Sequence, residues 1–479
     1  MLRFHFVGRL MLARASFQIA TLLATTLVVH LPLTALADDT TQDVPNQYLS
    51  PSVKQPAPDE KFDDDYPWWT NTLTGDWLGW RSELAAHGVV FDIRYVSLPV
   101  YNLHGGFDTG FFGAGPLGIT VTADTEKLWG HDGGLLFFDW EFNHWYNGRF
   151  QPLGNFDPTG SFVGVNTNFV DSDISGLNQI AQFYYQQSWW EDGASLAFGK
   201  MDANVPFASV QASSAFQYSS GMYTPTLNRF IPTYPNEATA LVGQLGHEDS
   251  LIAKFGWFDG TSAAYDPTTG LSGPDTGPRG PRTFFDNHGN YWLVAEVDAA
   301  WHLDSLLPGS AGAGAWLQTG DVATLGTNTA GVSDIPGWYV QWQQMLWTAS
   351  AELASDGGGI VYFGQFGWSD PRKNPVHWSL MTGVSATGFF PNRLADAVGI
   401  LFSHAQFTSN ESVYQSVGRD GQLGPAGGFE AAIESFYLWQ WTNWSYFQPG
   451  IMWIMSPGGG DPAPLEDSLS IYGLVGFEF

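Results

Sequence analysis

Leu469-Ser-Ile-Tyr-Gly-Leu-Val-Gly-Phe-Glu-Phe479 closes the chain, and it alternates. Leu469, Ile471, Val475, Phe477 and Phe479 share one parity; Ser470, Tyr472, Leu474, Gly476 and Glu478 share the other. Successive side chains of a strand point to opposite faces, so this is a strand with one apolar side. Such a strand ending on Phe beside a carboxylate reads as the last strand of a bacterial outer-membrane barrel. The competing reading is a half-buried edge strand of a soluble sandwich.

The opposite end of the chain favours the barrel. Arg3, Arg9 and Arg14 form a basic leader without acids, Ile19 to Leu33 is mostly apolar, and Ala35-Leu36-Ala37 is a small-x-small cleavage site. Residues 1–37 therefore read as a signal peptide. Thr21, Thr25, Thr26, His30 and Pro32 interrupt the apolar run, which falls short of the roughly 20 residues of a spanning helix. No later segment offers one, so an exported chain of this kind is either soluble or a barrel.

Composition agrees. Charged residues make up 14% of the 479 residues, against roughly 25% in ordinary soluble domains. Aromatics reach 16%, with 22 Trp, as girdles at two membrane interfaces require. A mean hydropathy of -0.10 is too polar for a helical membrane protein. Cysteine is absent. The net charge is -29, and loss of the three leader arginines takes it to -32. That excludes a basic footprint for nucleic acid. If the acids line a pore, it favours cations and neutral solutes over anions.

Residues 38–69 are acidic and proline-rich and read as a flexible lead, with Asp63-Asp64-Asp65 near its end. A short helix is expected from Asp76 to His87, stopped by Gly88. The rest, 70–479, reads as one unit. Val89, Phe91, Ile93 and Tyr95 oppose Val90, Asp92, Arg94 and Val96. Leu136, Phe138, Trp140 and Phe142 oppose Asp139, Glu141 and Asn143. Ala181, Phe183 and Tyr185 oppose Gln182, Tyr184 and Gln186. Leu251, Ala253, Phe255 and Trp257 oppose Lys254; Leu293, Ala295, Val297 and Trp301 oppose Glu296, Asp298 and His302. Phe429, Ala431 and Ile433 oppose Glu430, Glu434 and Gln440. Segments of about ten residues cross a tilted barrel wall. Roughly 400 residues at about 25 per strand and connection give about 16 strands, a size that leaves an aqueous lumen. The expected fold is an all-β transmembrane antiparallel barrel with a short N-terminal helix and long extracellular loops.

An ordered series of short motifs carries a family resemblance. It opens with Asn71-Thr-Leu-Thr-Gly-Asp-Trp-Leu-Gly-Trp-Arg81 and continues through Thr125-Glu-Lys-Leu-Trp129, Gly133-Gly134, Phe198-Gly-Lys-Met-Asp-Ala-Asn204, Pro232-Thr-Tyr-Pro235 and Phe258-Asp-Gly260. Leu307-Pro-Gly309, Thr319-Gly320, Phe390-Pro-Asn-Arg393, Gln448-Pro449 and Ser456-Pro-Gly458 follow. In order and spacing the chain resembles the carbohydrate-selective porins of the OprB family. The resemblance implies a 16-stranded barrel that passes monosaccharides, glucose above all, through a loop-narrowed eyelet lined by Arg, Glu and aromatic residues. Three features depart from it: the 18 Lys and Arg in all, Asn392 where the family often has Gly, and the long proline-rich loop 266–282.

Sugar passage also follows from chemistry. Carboxylates, amides and guanidinium groups exchange hydrogen bonds with hydroxyls. Aromatic rings take the C–H face of the sugar, and binding must stay weak enough for release. The lumen candidates on polar parities are Arg94, Asp139, Glu141, Glu296, Asp298 and Glu434, with Tyr184 for stacking. Lys200, Asp202, Arg372 and Arg393 join them from strand ends and loops. Trp140 and Trp189 are assigned to the wall. The expected role is passive diffusion of monosaccharides; the alternative is a general or cation-preferring diffusion porin. The His spacing suits no zinc site, and Gly-x-Ser-x-Gly and phosphate-loop motifs are missing. Neither catalysis, metal nor cofactor is expected. Expected partners are mono- and oligosaccharides, outer-membrane lipid and the barrel-assembly machinery acting on Phe479; a homotrimer is compatible with the apolar outer band.

Overall fold

The structure, a computed structural model, describes residues 72–146, 157–165, 177–190, 192–263, 290–304, 306–322, 332–350, 353–354, 358–390 and 393–479. The expected signal peptide, the lead 38–69, loop 266–282 and Asn392 lie outside the described residues.

Sixteen strands form a closed antiparallel barrel. They are β1 (Val89–His104), β2 (Gly110–Asp124), β3 (Gly134–Tyr146), β4 (Leu177–Trp189), β5 (Ala194–Met201), β6 (Ala238–Gly246), β7 (Leu251–Asp259) and β8 (Trp292–Leu303). The second half runs β9 (Leu307–Val322), β10 (Val332–Trp347), β11 (Gly359–Ser369), β12 (Val376–Thr387), β13 (Ala397–Phe407), β14 (Phe429–Thr442), β15 (Ser445–Met455) and β16 (Ser468–Glu478). Each strand pairs with its chain neighbours, and β16 returns to β1 with Arg94 opposite Glu478 and Tyr101 opposite Ile471. Closure leaves the sheet without an open edge, which a sheet in lipid requires.

β1 begins and β16 ends at one rim, here the terminal rim, where Thr442 also pairs with Ser445 across a tight turn. The alternation decides the faces. Phe198, Phe255, Ile400, Ile451 and Ile471 are exposed on the outside. Glu296, Gln365, Glu430 and Glu434 are buried inside. The outside of the barrel is thus apolar and its interior polar, the inverse of a soluble protein and the arrangement lipid demands.

Local sequence explains the irregular pieces. The expected helix over 76–87 is a 3-10 turn (Trp77–Gly79) followed by α1 (Trp80–Ala86), and Gly88 ends it at φ 89°. A second short helix, α2 (Thr125–Trp129), fills the β2–β3 turn. Asp124 caps it by accepting from the N–H groups of Glu126 and Lys127. The strand 180–188 does not alternate as expected at Ala181. Trp140 pairs with Ile180 while Asp139 pairs with Gln182, so Ala181 is the extra residue of a β-bulge and is buried. The bulge lets Gln179 and Gln182 both face inward, three residues apart.

Candidate functional site

β5 and β6 are short, and the chain between them, residues 202–237, turns into the barrel. Its base is set by Asp202, which accepts from Asn204 N–H, Thr233 Oγ1–H and Tyr234 N–H while its own N–H donates to Gln182. From there the loop crosses the lumen and is fixed to wall after wall. Ala208 N–H donates to Glu296 at 2.9 Å, and its carbonyl accepts from Gln365. Ala212 N–H donates to Gln343, and Thr224 meets Ser379. At the far side Gln217 and Tyr218 donate their N–H groups to Glu434, the Tyr218 hydroxyl donates to Glu430, and Gln448 donates to the Ala215 carbonyl. Phe207, Phe230, Phe216 and Leu227 are fully buried between loop and wall. The loop thereby fills the lumen along β7 to β15.

A second inward segment, residues 157–165, closes the upper lumen beside β1. Glu430 holds it too, accepting from Ser161 Oγ–H, Phe162 N–H and Val163 N–H, and it also accepts from Gly458 N–H. One carboxylate of β14 thus ties the β3–β4 connection, the crossing loop and the β15–β16 connection together.

The inner wall left uncovered is the lower part of β1 to β4. Asp92, Arg94, Phe137, Glu141 and Tyr184 keep solvent access there, and the Tyr234 hydroxyl of the crossing loop is bonded to Glu141. Arg94 Nε lies 3.1 Å from Asp92. Asp139 accepts from Thr120. The rings of Phe137 and Tyr184 stack at 4.8 Å and 17°. Rising from the terminal rim, the wall offers a ring pair, then Asp139 with Gln182, then Glu141 with Arg94 and Gln179.

The expected site residues divide accordingly. Arg94, Glu141 and Tyr184 keep solvent access on this wall, and Asp139 lies buried between them. Lys200 and Asp202 sit at the loop base and are buried. Lys200 stands on the parity of exposed Phe198, but Gly199 at φ 147° turns the strand, and the ammonium donates inward to the Ile180 carbonyl at 2.6 Å beside Glu237. Glu296 and Asp298 flank Lys254 at 3.0 and 2.8 Å, and Glu296 also accepts from Tyr339. Glu296 and Glu434 face inward as expected, but the loop covers both, so they hold the loop rather than face the passage. Arg372 and Arg393 stand apart at opposite rims. Arg372 pairs with Asp370, which its guanidinium holds below the usual carboxylate range; Arg393 pairs with Asp396. Trp140 and Trp189 face outward; Trp140 donates to Asn178 and Trp189 is exposed at the terminal rim.

Alternation alone missed the loop residue Tyr234, because a loop has no period; the Pro232-Thr-Tyr-Pro235 motif contains it. Asp92 and Lys254 stood on polar parities without being put forward.

Among the described residues no cluster of three or more His, Cys, Asp or Glu is arranged to hold a metal ion. The family model for carbohydrate-selective porin, OprB family, matches residues 114–469. Two solved structures of Pseudomonas putida OprB are similar in fold. The high-pH form is 19% identical with a TM-score of 0.66, covering 86% of this chain and 99% of that one. The low-pH form is 15% identical with a TM-score of 0.51, covering 86% and 100%. No curated protein matches the chain in sequence. A match over most of the chain, on a closed barrel of sixteen strands, places the protein: it belongs to the carbohydrate-selective porins of the OprB family and is an outer-membrane β-barrel.

Proposed function

We propose that the protein passes monosaccharides of the glucose type by passive diffusion, and that the wall of β1 to β4 is where they are selected. One observation carries this reading: on the wall of β1 to β4 the half-exposed, stacked Phe137–Tyr184 ring pair lies below the half-exposed Glu141 and Arg94, with the buried Asp139 and Gln182 between them. A pyranose has an apolar C–H face and a rim of hydroxyls, and the two parts of the wall match the two parts of the sugar. Phe137 and Tyr184 serve as the platform. Asp139, Gln182, Glu141 and Arg94 exchange hydrogen bonds with the hydroxyls as water is shed. Because the groups lie along the wall at successive heights, a sugar moves by trading one partner for the next, and no position binds tightly enough to trap it.

This reading includes export by residues 1–37 and delivery of the barrel to its assembly machinery through the strand ending at Phe479. The functional test is single-channel conductance of the refolded protein in a planar bilayer, titrated with glucose and then with other mono- and disaccharides. Saturable, monosaccharide-dependent block is expected. Channels indifferent to sugar, with strong cation preference, would replace this reading with general diffusion.

A further inference from the structure

We propose that the segment from Trp77 to Ala86 lies in the phospholipid headgroup zone at the terminal rim, with Leu78 and Trp80 inserted, and fastens the closing β1–β16 seam to the membrane surface. This does not depend on the sugar reading.

Its position comes from two contacts. The Trp77 ring meets Phe91 edge-on at 5.7 Å, and Phe91 is on the outward parity of β1, opposite to the inward Asp92 and Arg94. The segment therefore starts on the outside of the barrel. Arg81 then fixes it to the seam, donating to the backbone oxygens of Phe479 at 2.8 Å and Phe91 at 2.7 Å. The helix cannot slide into the lumen while both bonds hold.

The orientation comes from exposure. Leu78 is 101% exposed and Trp80 62% exposed. Trp80 and Leu84 are four residues apart and share a helix face, with Glu83 at its edge and the exposed Ala86 on the opposite side. The backbone sharpens the point. Trp77 and Leu78 have φ of 48° and 64°, a region that bulky residues occupy only when surrounding interactions repay the strain. In water a fully exposed leucine repays nothing; in the acyl–headgroup boundary it does.

The proposed surface is also continuous with the lipid interface already described. Exposed apolar residues circle the terminal rim, among them Trp129, Trp189, Trp190, Trp347 and Trp441. Aromatic residues collect at this level because an amphipathic ring is favoured between headgroup and acyl chain. Leu78 and Trp80 complete that ring at the seam.

The test uses the absence of cysteine from the chain. Leu78→Cys in the full-length protein, labelled with an environment-sensitive NBD probe, is reconstituted into phosphatidylcholine–phosphatidylglycerol vesicles; Ala86→Cys is labelled in parallel. The expected result is blue-shifted emission at position 78, at least twofold quenching by lipids spin-labelled near the headgroup, and little quenching by aqueous iodide. The probe at position 86 should behave oppositely. Equal iodide quenching at both positions overturns the proposal. Shielding of position 78 from both quenchers also overturns it, since the preceding part of the chain would then be the occupant. Heat-modifiable gel mobility of each labelled variant establishes that the barrel is folded in either case.

Discussion

Glu434 and Tyr218 meet across the lumen: Oε2 of Glu434 accepts the main-chain N–H of Tyr218 at 2.8 Å. The contact joins the tip of the crossing loop to a strand more than two hundred residues later, and its neighbours reinforce it. Oε1 accepts from Gln217 N–H and from the Tyr472 hydroxyl. The bore of the channel is therefore set by buried carboxylates as much as by the barrel's strand number. Glu434→Ala leaves three buried donors without an acceptor. Each unmet buried group costs about 1–3 kcal/mol, so the tip should detach while the barrel stays closed. Single-channel recordings should show a changed mean conductance and increased open-channel noise. Unchanged conductance and noise would show that the tip is held without Glu434.

Lys254 does the same work at the loop's start. Its ammonium lies between Glu296 and Asp298, and Glu296 carries the loop at Ala208. Removing one member of a buried charge cluster costs about 3–5 kcal/mol because the remaining charges lose their partner. Lys254→Met should lower the urea midpoint of the folded barrel and alter conductance together. A lowered midpoint with normal conductance would separate the cluster from the loop.

Arg94 and Glu141 are predicted to behave differently: Arg94 pairs with Asp92 of its own strand, and Glu141 meets the crossing loop at the Tyr234 hydroxyl, a side-chain bond rather than a main-chain anchor. Arg94→Ala or Glu141→Ala should weaken glucose block by about tenfold, the loss of one charge-assisted hydrogen bond, with little change in the urea midpoint. Equal sugar affinity in variant and parent would remove both residues from the site.

The segment 157–165 should respond to pH. Burial pushes the Asp157 carboxyl up to about 6, with Glu430 nearby adding to the effect and hydrogen bonds from Thr159 opposing it. A carboxyl raised in the folded state favours its protonated form. The contribution to docking is complete below the ordinary value of 3.8 and is lost as pH rises through about 6. Hydrogen exchange at the amides of Phe162 and Val163, corrected for intrinsic rates, should show weaker protection at pH 8 than at pH 5. Asp157→Asn should remove the difference; a difference that persists would assign it to another group.

The barrel was legible because its signal is short-range. A lipid-facing strand must repeat its apolar residues every second position, and Phe91, Phe255 and Ile471 do so. The faces of Arg94, Asp139 and Glu141 followed from the same period. What the period cannot reveal is which inward residues are covered. Glu296 and Glu434 look like Glu141 in sequence, and only the path of a loop without periodicity separates them. Lys200 shows a second limit: a left-handed Gly199 and a bulge at Ala181 overrule alternation with local geometry. Arg372 and Arg393 carry attractive charges, but each is satisfied within three residues, by Asp370 and Asp396, at the rims.

The last prediction concerns a residue with no side chain. Gly367 is on the inward parity of β11, and a Cβ there would press into Thr224 Oγ1 and Thr226 Oγ1 of the crossing loop. Thr224 in turn meets Ser379 of β12 at 2.6 Å. The loop lies this close to the wall only because position 367 is bare. Its strand geometry is ordinary, so alanine fits the backbone and meets trouble only at the loop. Gly367→Ala should therefore leave the barrel folded, with normal heat-modifiable mobility, and displace the middle of the loop toward β1 to β4. The passage narrows on the side where the sugar wall stands. Conductance should fall, and block by disaccharides should be lost before block by glucose. Normal conductance in a folded Gly367→Ala barrel would mean that the two threonines rotate aside and that this contact does not set the bore.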